Sequence, residues 1–303
     1  MGSLTVHFDD NDREKFYNKH YSLPNGYVDG WYKQGSGKGK PLIICIHGGG
    51  TTSKFMDRPG WSYPETAAKY DCSIALLNRP SYAGNKAIDS DMPIVASVKY
   101  LVEMIDVIWK ENVSKIGAPG VFIIGHSIGG ATTLQIAAES THPFPLLGVA
   151  VSGMAEIHAD DFAHAWTKTP DDTSVDVTEA LARAGFGPPE TYTEDAFQAC
   201  KSTMVDALRA ELIDISQLWP KRCASVMGAI KVPVWHGLTE YEKLWKTGPD
   251  VLEALRPYYK QAPRLELVFL ENGGHNYEFH KKGEEFRCRQ IEFGIECVQI
   301  ASE

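Results

Sequence analysis

The chain has 303 residues, enough for one large α/β domain with an insertion or for two domains. Apolar residues make up 43% and charged residues 23%, ordinary proportions for a globular protein that buries a sizeable core. The formal charge of -9, with lysines and arginines scattered, excludes a basic stripe for nucleic acid or an anionic membrane.

Six cysteines (Cys45, Cys72, Cys200, Cys223, Cys288, Cys297) show no C-x-x-C spacing, and nothing suggests a disulfide framework. The N-terminus lacks the basic and apolar regions of a signal peptide, and no apolar run is long enough to span a bilayer. The expectation is a soluble, cytoplasmic protein.

Residues 1–25 are polar and aromatic, with a turn at Pro24-Asn25-Gly26. Tyr27 to Lys33 alternates like a strand, and Gln34 to Lys40 reads as a hairpin connection. Pro41 to Ile46 is a continuous apolar run, as in a sheet buried on both faces, and leads into His47-Gly48-Gly49-Gly50. Ser73 to Leu77 is a second such run, ending in the turn-rich Asn78 to Asn85. Apolar residues from Pro93 to Trp109 recur at helical spacing, with Asp91 as N-cap. Val121 to Ile124 and Leu146 to Val151 are further strands, separated by a small-residue helix, Ala131 to Glu139.

Residues 156–230 break the alternation. They read as an insertion with helices over 178–184 and 195–218, the latter marked by Phe197, Met204, Leu208, Leu212 and Ile215. The pattern resumes with strands at Val232 to Gly237 and Leu265 to Leu270, a helical stretch at Val251 to Leu255, and a final helix from Glu284 to Ile300. Strands alternating with helices imply a mostly parallel central sheet flanked by helices. The chain divides into a core of residues 1–155 and 231–303 and an inserted helical lid of residues 156–230.

Gly125-His126-Ser127-Ile128-Gly129-Gly130 lies between a strand and a helix, the context that gives G-x-S-x-G its meaning. So sharp a turn strains the serine backbone and demands small residues two positions either side. A serine hydroxyl also needs a base, an orienting acid and oxyanion donors. His275, which follows the last apolar strand through two glycines, is the candidate base. Glu240, three residues past Gly237, is the first choice of acid, with Glu156 and Glu242 as alternatives. The N–H of Ile128 and that of Gly49, with Gly48 next, are the candidate oxyanion donors. His47, His126 and His236 flank strands beside glycines and read as framework residues. No histidine cluster has metal-ligand spacing, and no cofactor is expected.

These motifs resemble the α/β-hydrolase fold, the broad serine-hydrolase superfamily, from about residue 27 onward. The matching segments are His47 to Gly50, Asn78 to Asn85 (against D-R-P-G-Y-G-x-S), Gly125 to Gly130, Val232 to Glu240 and Gly273-Gly274-His275. Serine, acid, histidine is the order of that superfamily. Glutamate at 240 replaces the commoner aspartate, and Asn78 and Ser81 depart from the third motif. Ser127 in place of aspartate argues against epoxide-hydrolase or dehalogenase chemistry.

The resemblance implies acyl transfer on a small-molecule ester, thioester or lactone. Bulky residues of the insertion, Trp166 and Met204 among them, are expected beside an apolar cleft. Phe55, Arg58 and Trp61 past the oxyanion loop, and Arg79 and Tyr82, are further cleft candidates; Arg79 could meet a substrate carboxylate, but a structural role in its own loop is the preferred reading. A non-hydrolytic cyclase, acyltransferase or C–C bond-cleaving enzyme on the same fold, and a ligand receptor with little turnover, are the alternatives.

Overall fold

Four apolar runs pair side by side in the computed structural model, which describes residues 18–23, 26–33, 35, 38–159 and 174–301. They are β3 (Leu42–Ile46), β4 (Ser73–Leu77), β5 (Val121–His126) and β6 (Leu146–Ser152). With β7 (Val234–Thr239) and β8 (Leu265–Leu270) they form six parallel strands in the order β4-β3-β5-β6-β7-β8. The register sets Ile44 between Ala75 and Ile123, and Ile123 beside Val149. An antiparallel hairpin, β1 (Asn18–Leu23) with β2 (Gly26–Lys33), extends the sheet past β4. The strand over 18–23 lies in the region read from sequence only as polar and aromatic. Pro24 and Asn25 of the expected turn lie outside the described residues.

Period-2 alternation divides the core. Leu42, Ile44 and Ile46 pack on one face with α2 (Pro93–Ile116), α3 (Ile128–Ala137) and α7 (Trp219–Ala229). Ile43 and Cys45 face α1 (Tyr63–Lys69) and α9 (Gly283–Ile300) on the other. Both faces are therefore covered, and that is why these strands read as unbroken apolar runs. All six cysteines are free thiols. No helix among the described residues is long and apolar enough to cross a membrane.

Four expectations need correction. The connection over 34–40 does not close a hairpin, because β2 pairs with β1 and β4 and not with β3. The helix from Pro93 runs on to Ile116, and the carboxylate bonded to the Ile94 N–H is not Asp91 but Asp214, whose Oδ2 lies 3.0 Å away. The single helix expected over 195–218 is instead several elements. These are α5 (Glu194–Lys201), a two-residue strand at Ala207–Leu208, α6 (Arg209–Ile213) and a π-helical turn at Asp214–Leu218 that continues into α7. The chain leaves the helical path so that Ala207 can pair with Val175 in a short antiparallel ladder. Before these comes α4 (Glu179–Phe186), and after β7 comes the short α8 (Pro249–Glu253).

Candidate active site

The sheet brings β5 to its end at His126, and α3 starts at Ile128, so the turn between them is one residue. Ser127 holds φ 54° and ψ −123°, a conformation a non-glycine residue adopts only under constraint. The flanking glycines make it possible. A Cβ on Gly125 would sit 2.3 Å from Thr133 Oγ1, and one on Gly129 would sit 2.3 Å from the Ile46 carbonyl oxygen.

The strained turn aims Ser127 Oγ at His275, whose Nε2 lies 2.9 Å away. The Nδ1 of the same ring is 2.9 Å from Glu242 Oε2 and 3.1 Å from Oε1. Glu242 is held from behind by the N–H groups of Leu244 at 2.9 Å and Lys243 at 3.0 Å. Burial by itself would raise its pKa. The neighbouring His275 and these donors outweigh that and keep it below the usual glutamate value. Burial likewise disfavours the imidazolium of His275, but the Glu242 charge and hydrogen bond, with Glu278 beyond, raise its pKa above the ordinary histidine value.

The structure therefore does not bring the first-choice acid, Glu240, to the histidine. Glu240 Oε2 accepts from the Asn272 N–H at 2.8 Å, and Glu156 accepts from the Tyr258 hydroxyl at 3.0 Å. After β7 the chain turns back, and the third residue past the strand, rather than the first, reaches the ring.

Gly48 and Gly49 lie against the elbow. A Cβ on Gly48 would be 3.1 Å from Ser127 Cβ, and one on Gly49 would be 2.6 Å from Ile128 Cδ1. Neither the Gly49 N–H nor the Ile128 N–H donates to a backbone acceptor among the described residues. Behind the loop, His47 donates from Nδ1 to the Gly48 carbonyl at 2.8 Å and accepts at Nε2 from the Arg79 N–H at 3.0 Å. Burial, followed by the Arg79 charge, pushes its pKa well down, so this ring is neutral in that tautomer.

The cavity over Ser127 holds about 140 Å³ and is mainly apolar. Phe55 and Ile128 line it from the core; Val177, Leu181, Met204 and Leu212 do so from the segment between β6 and β7. Its described lining includes no lysine or arginine. Of the cleft candidates, Phe55 and Met204 are in this wall. Arg58 and Trp61 are not; they pair with each other in a two-residue antiparallel ladder. Tyr82 is buried with its hydroxyl 2.8 Å from Glu211 Oε2, and Trp166 lies outside the described residues.

Sequence reasoning missed a second histidine–carboxylate pair. His126 Nδ1 is 3.2 Å from Glu278 Oε1, and the His126 ring is stacked on Phe55 and 4.9 Å from the His275 ring. Glu278 is 1% exposed; burial raises its pKa, but the His126 charge and hydrogen bond bring it below the usual value. His158 was also missed as a pocket residue. It stacks on Trp245 at 3.7 Å and faces two carbonyl oxygens, those of Leu244 and Ile215. The sequence offered no motif for either residue beyond a histidine beside the nucleophile.

A family model described as "Alpha/beta hydrolase family" matches residues 43–286. The chain belongs to the alpha/beta hydrolase family. Solved structures agree on the fold of this family member. A thermostable carboxyl esterase from Bacillus coagulans matches with a TM-score of 0.68 at 12% identity, over 92% of this chain and 98% of that one. A monoacylglycerol lipase from Paleococcus ferrophilus matches with a TM-score of 0.62 at 17% identity, over 89% and 99%. The 2-hydroxy-6-oxo-6-phenylhexa-2,4-dienoate hydrolase of Rhodococcus sp. strain RHA1 matches with 0.63 at 17% identity, over 91% and 98%. No curated protein sequence matches this family member.

Proposed function

We propose that the chain is a serine hydrolase cleaving an uncharged ester, thioester or lactone of small to medium size through an acyl-enzyme. The observation that carries this reading is the continuous relay from Ser127 Oγ to His275 Nε2 at 2.9 Å and from His275 Nδ1 to Glu242 Oε2 at 2.9 Å, opening into an apolar cavity.

With Nδ1 donating to Glu242, the free electron pair of His275 is on Nε2, facing the serine hydroxyl. His275 takes the Ser127 proton as Oγ bonds to the carbonyl carbon. The N–H groups of Ile128 and Gly49 hold the oxyanion, as preorganised donors should. The imidazolium then protonates the leaving oxygen or sulfur as the acyl bond breaks. Water, deprotonated by the same nitrogen, attacks the acyl-enzyme and releases the acid and Ser127. The buried Glu242 carboxylate stabilises the imidazolium in both halves.

The segment of residues 156–230 acts as the lid of this site, and its apolar side chains select an apolar acyl or alcohol group. The lack of a cation in the described lining supports a substrate without a carboxylate or phosphate beside the scissile bond. Labelling with a fluorophosphonate probe, located by peptide mass spectrometry, tests the reading. The expected result is modification on Ser127 that Ser127→Ala abolishes, together with hydrolysis of short p-nitrophenyl esters. A folded wild type that neither labels nor hydrolyses any ester, thioester or lactone refutes it.

A further inference from the structure

Arg79 has two readings from sequence, a cleft residue or a structural residue of its own loop, and its surroundings fit the second. It is fully buried, and each of its three guanidinium nitrogens is engaged. Nε donates to the His47 carbonyl at 3.0 Å, and Nη2 donates to the Gly48 carbonyl at 3.0 Å. On its other side Arg79 makes a two-pronged contact with Glu211, Nη1 to Oε1 and Nη2 to Oε2. Tyr82 completes the cluster: its ring lies 4.8 Å beneath the guanidinium, and its hydroxyl donates to Glu211 Oε2 at 2.8 Å. The same hydroxyl accepts from the Gly50 N–H at 3.3 Å.

The consequence follows from peptide geometry. In a planar trans unit the C=O and the next N–H point in opposite directions. Arg79 draws the carbonyls of His47 and Gly48 toward itself, so the N–H groups of Gly48 and Gly49 point away from it. Gly48 and Gly49 both line the cavity over Ser127. A loop of three consecutive glycines has little preference of its own for that orientation. Something must impose it, and the only cation bonded to its carbonyls among the described residues is Arg79.

Glu211 lies on α6, in the segment between β6 and β7, whereas Arg79 follows β4 of the core. We propose that Arg79, anchored on Glu211, is the positioning residue that orients the oxyanion loop, so that the inserted segment governs transition-state stabilisation as well as forming the wall of the pocket. This rests on the acyl-transfer reading above for its catalytic part, whereas the ordering of the loop is independent of it. The arrangement makes loop order depend on the docking of α6: when α6 moves off, Glu211 leaves with it, and Arg79 loses the partner that fixes its plane.

The test compares wild type with Arg79→Lys, with Glu211→Gln and with the uncharged pair Arg79→Met/Glu211→Leu, which leaves no buried charge unpaired. Lysine keeps the charge but not the fork that spans two carbonyls and a carboxylate. Two quantities are read: kcat and KM on a short p-nitrophenyl ester, and nitrogen relaxation order parameters of Gly48, Gly49 and Gly50 with glycine-selective labelling. Misaimed oxyanion donors cost rate rather than binding, so kcat should fall about tenfold to a hundredfold while KM stays within about twofold. The order parameters should fall from about 0.85 toward 0.6 in the loop and stay unchanged at Gly129 in α3. Variants that keep both kcat and a rigid loop overturn the proposal, as does a loss of activity that appears in KM with the loop still rigid. A folded wild type that neither labels nor hydrolyses any ester, thioester or lactone, but whose loop loosens in the variants, refutes the acyl-transfer reading and leaves the clamp standing.

Discussion

Glu242→Gln is the sharpest probe of the site. The substitution is nearly isosteric, and glutamine can still accept from the Leu244 and Lys243 N–H groups that hold Glu242. What it removes is the charge beside His275 and, because those N–H groups hold the amide oxygen at the Oε1 position, the acceptor 2.9 Å from His275 Nδ1. With charge centres about 4 Å apart and an effective dielectric of about 20, the carboxylate stabilises the imidazolium by about 4 kcal/mol. The imidazolium forms on the way to the transition state, so kcat/KM should fall about a thousandfold. Glu240→Gln and Glu156→Gln are the controls, and each should remain within about threefold of wild type, because their carboxylates bond to Asn272 and Tyr258 instead. The assay is hydrolysis of a short p-nitrophenyl ester, with the rate of fluorophosphonate labelling as a second measure. A Glu240→Gln loss equal to that of Glu242→Gln, or a Glu242→Gln enzyme with more than a tenth of wild-type kcat/KM, would refute this account.

Four further outcomes follow from the geometry. Glu278→Gln removes a buried charge that raises the His275 pKa; since the base works only when neutral, the acidic limb of the kcat/KM profile should move to lower pH, and an unmoved limb would show that Glu278 does not act on the ring. Ser127 is strained at φ 54°, so Ser127→Gly should be more stable than Ser127→Ala by about 1 kcal/mol, or roughly 2 °C in Tm by calorimetry. Gly129→Ala would drive a methyl to 2.3 Å from the Ile46 carbonyl oxygen and should cost about 1–3 kcal/mol in urea unfolding, with loss of esterase activity. His236 is buried and its pKa is lowered to about 4, chiefly by desolvation. Between about pH 6.5 and 4 the unfolded chain therefore binds a proton that the folded one does not, and His236→Gln should reduce the loss of stability across that window by about 1.4 kcal/mol per pH unit.

The sheet was legible where strands are covered on both sides. Ile43 and Cys45 pack into one layer and Ile44 into the other, and the sequence there is uninterrupted by polar residues. The strand at Asn18–Leu23 was not legible, because Asn18, Lys19, His20 and Ser22 follow no apolar pattern and its place is fixed by pairing with Gly26–Lys33. The elbow and the position of His275 beside Ser127 were readable because their glycines are demanded by close approach. The loop could be located but not which carboxylate meets His275: Glu240 and Glu242 are two residues apart, and only the backward turn at Lys243 and Leu244 distinguishes them. The long helix was misread because Met204 and Leu212 line the pocket wall at a spacing that imitates a helix across a break. Tyr82 was placed in the cleft, and the structural role of Arg79 had no named partner, because sequence could not reveal Glu211, a carboxylate from far along the chain.

The carboxylate of Asp214 bears on how such an enzyme is rebuilt. Residues 156–230 invite treatment as a cassette, exchangeable between relatives to change what the pocket accepts. Yet Asp214 accepts from Ile94 in the first turn of α2, and Glu211, three residues earlier, grips Arg79. A transplanted cassette without an acid at those two places would leave a core helix uncapped and a buried arginine unmatched. The recipient would then lose stability before its new specificity was ever assayed. A successful graft therefore carries both acids with it, or replaces Arg79 as well, and the junctions matter less than these two side chains in the last third of the exchanged piece.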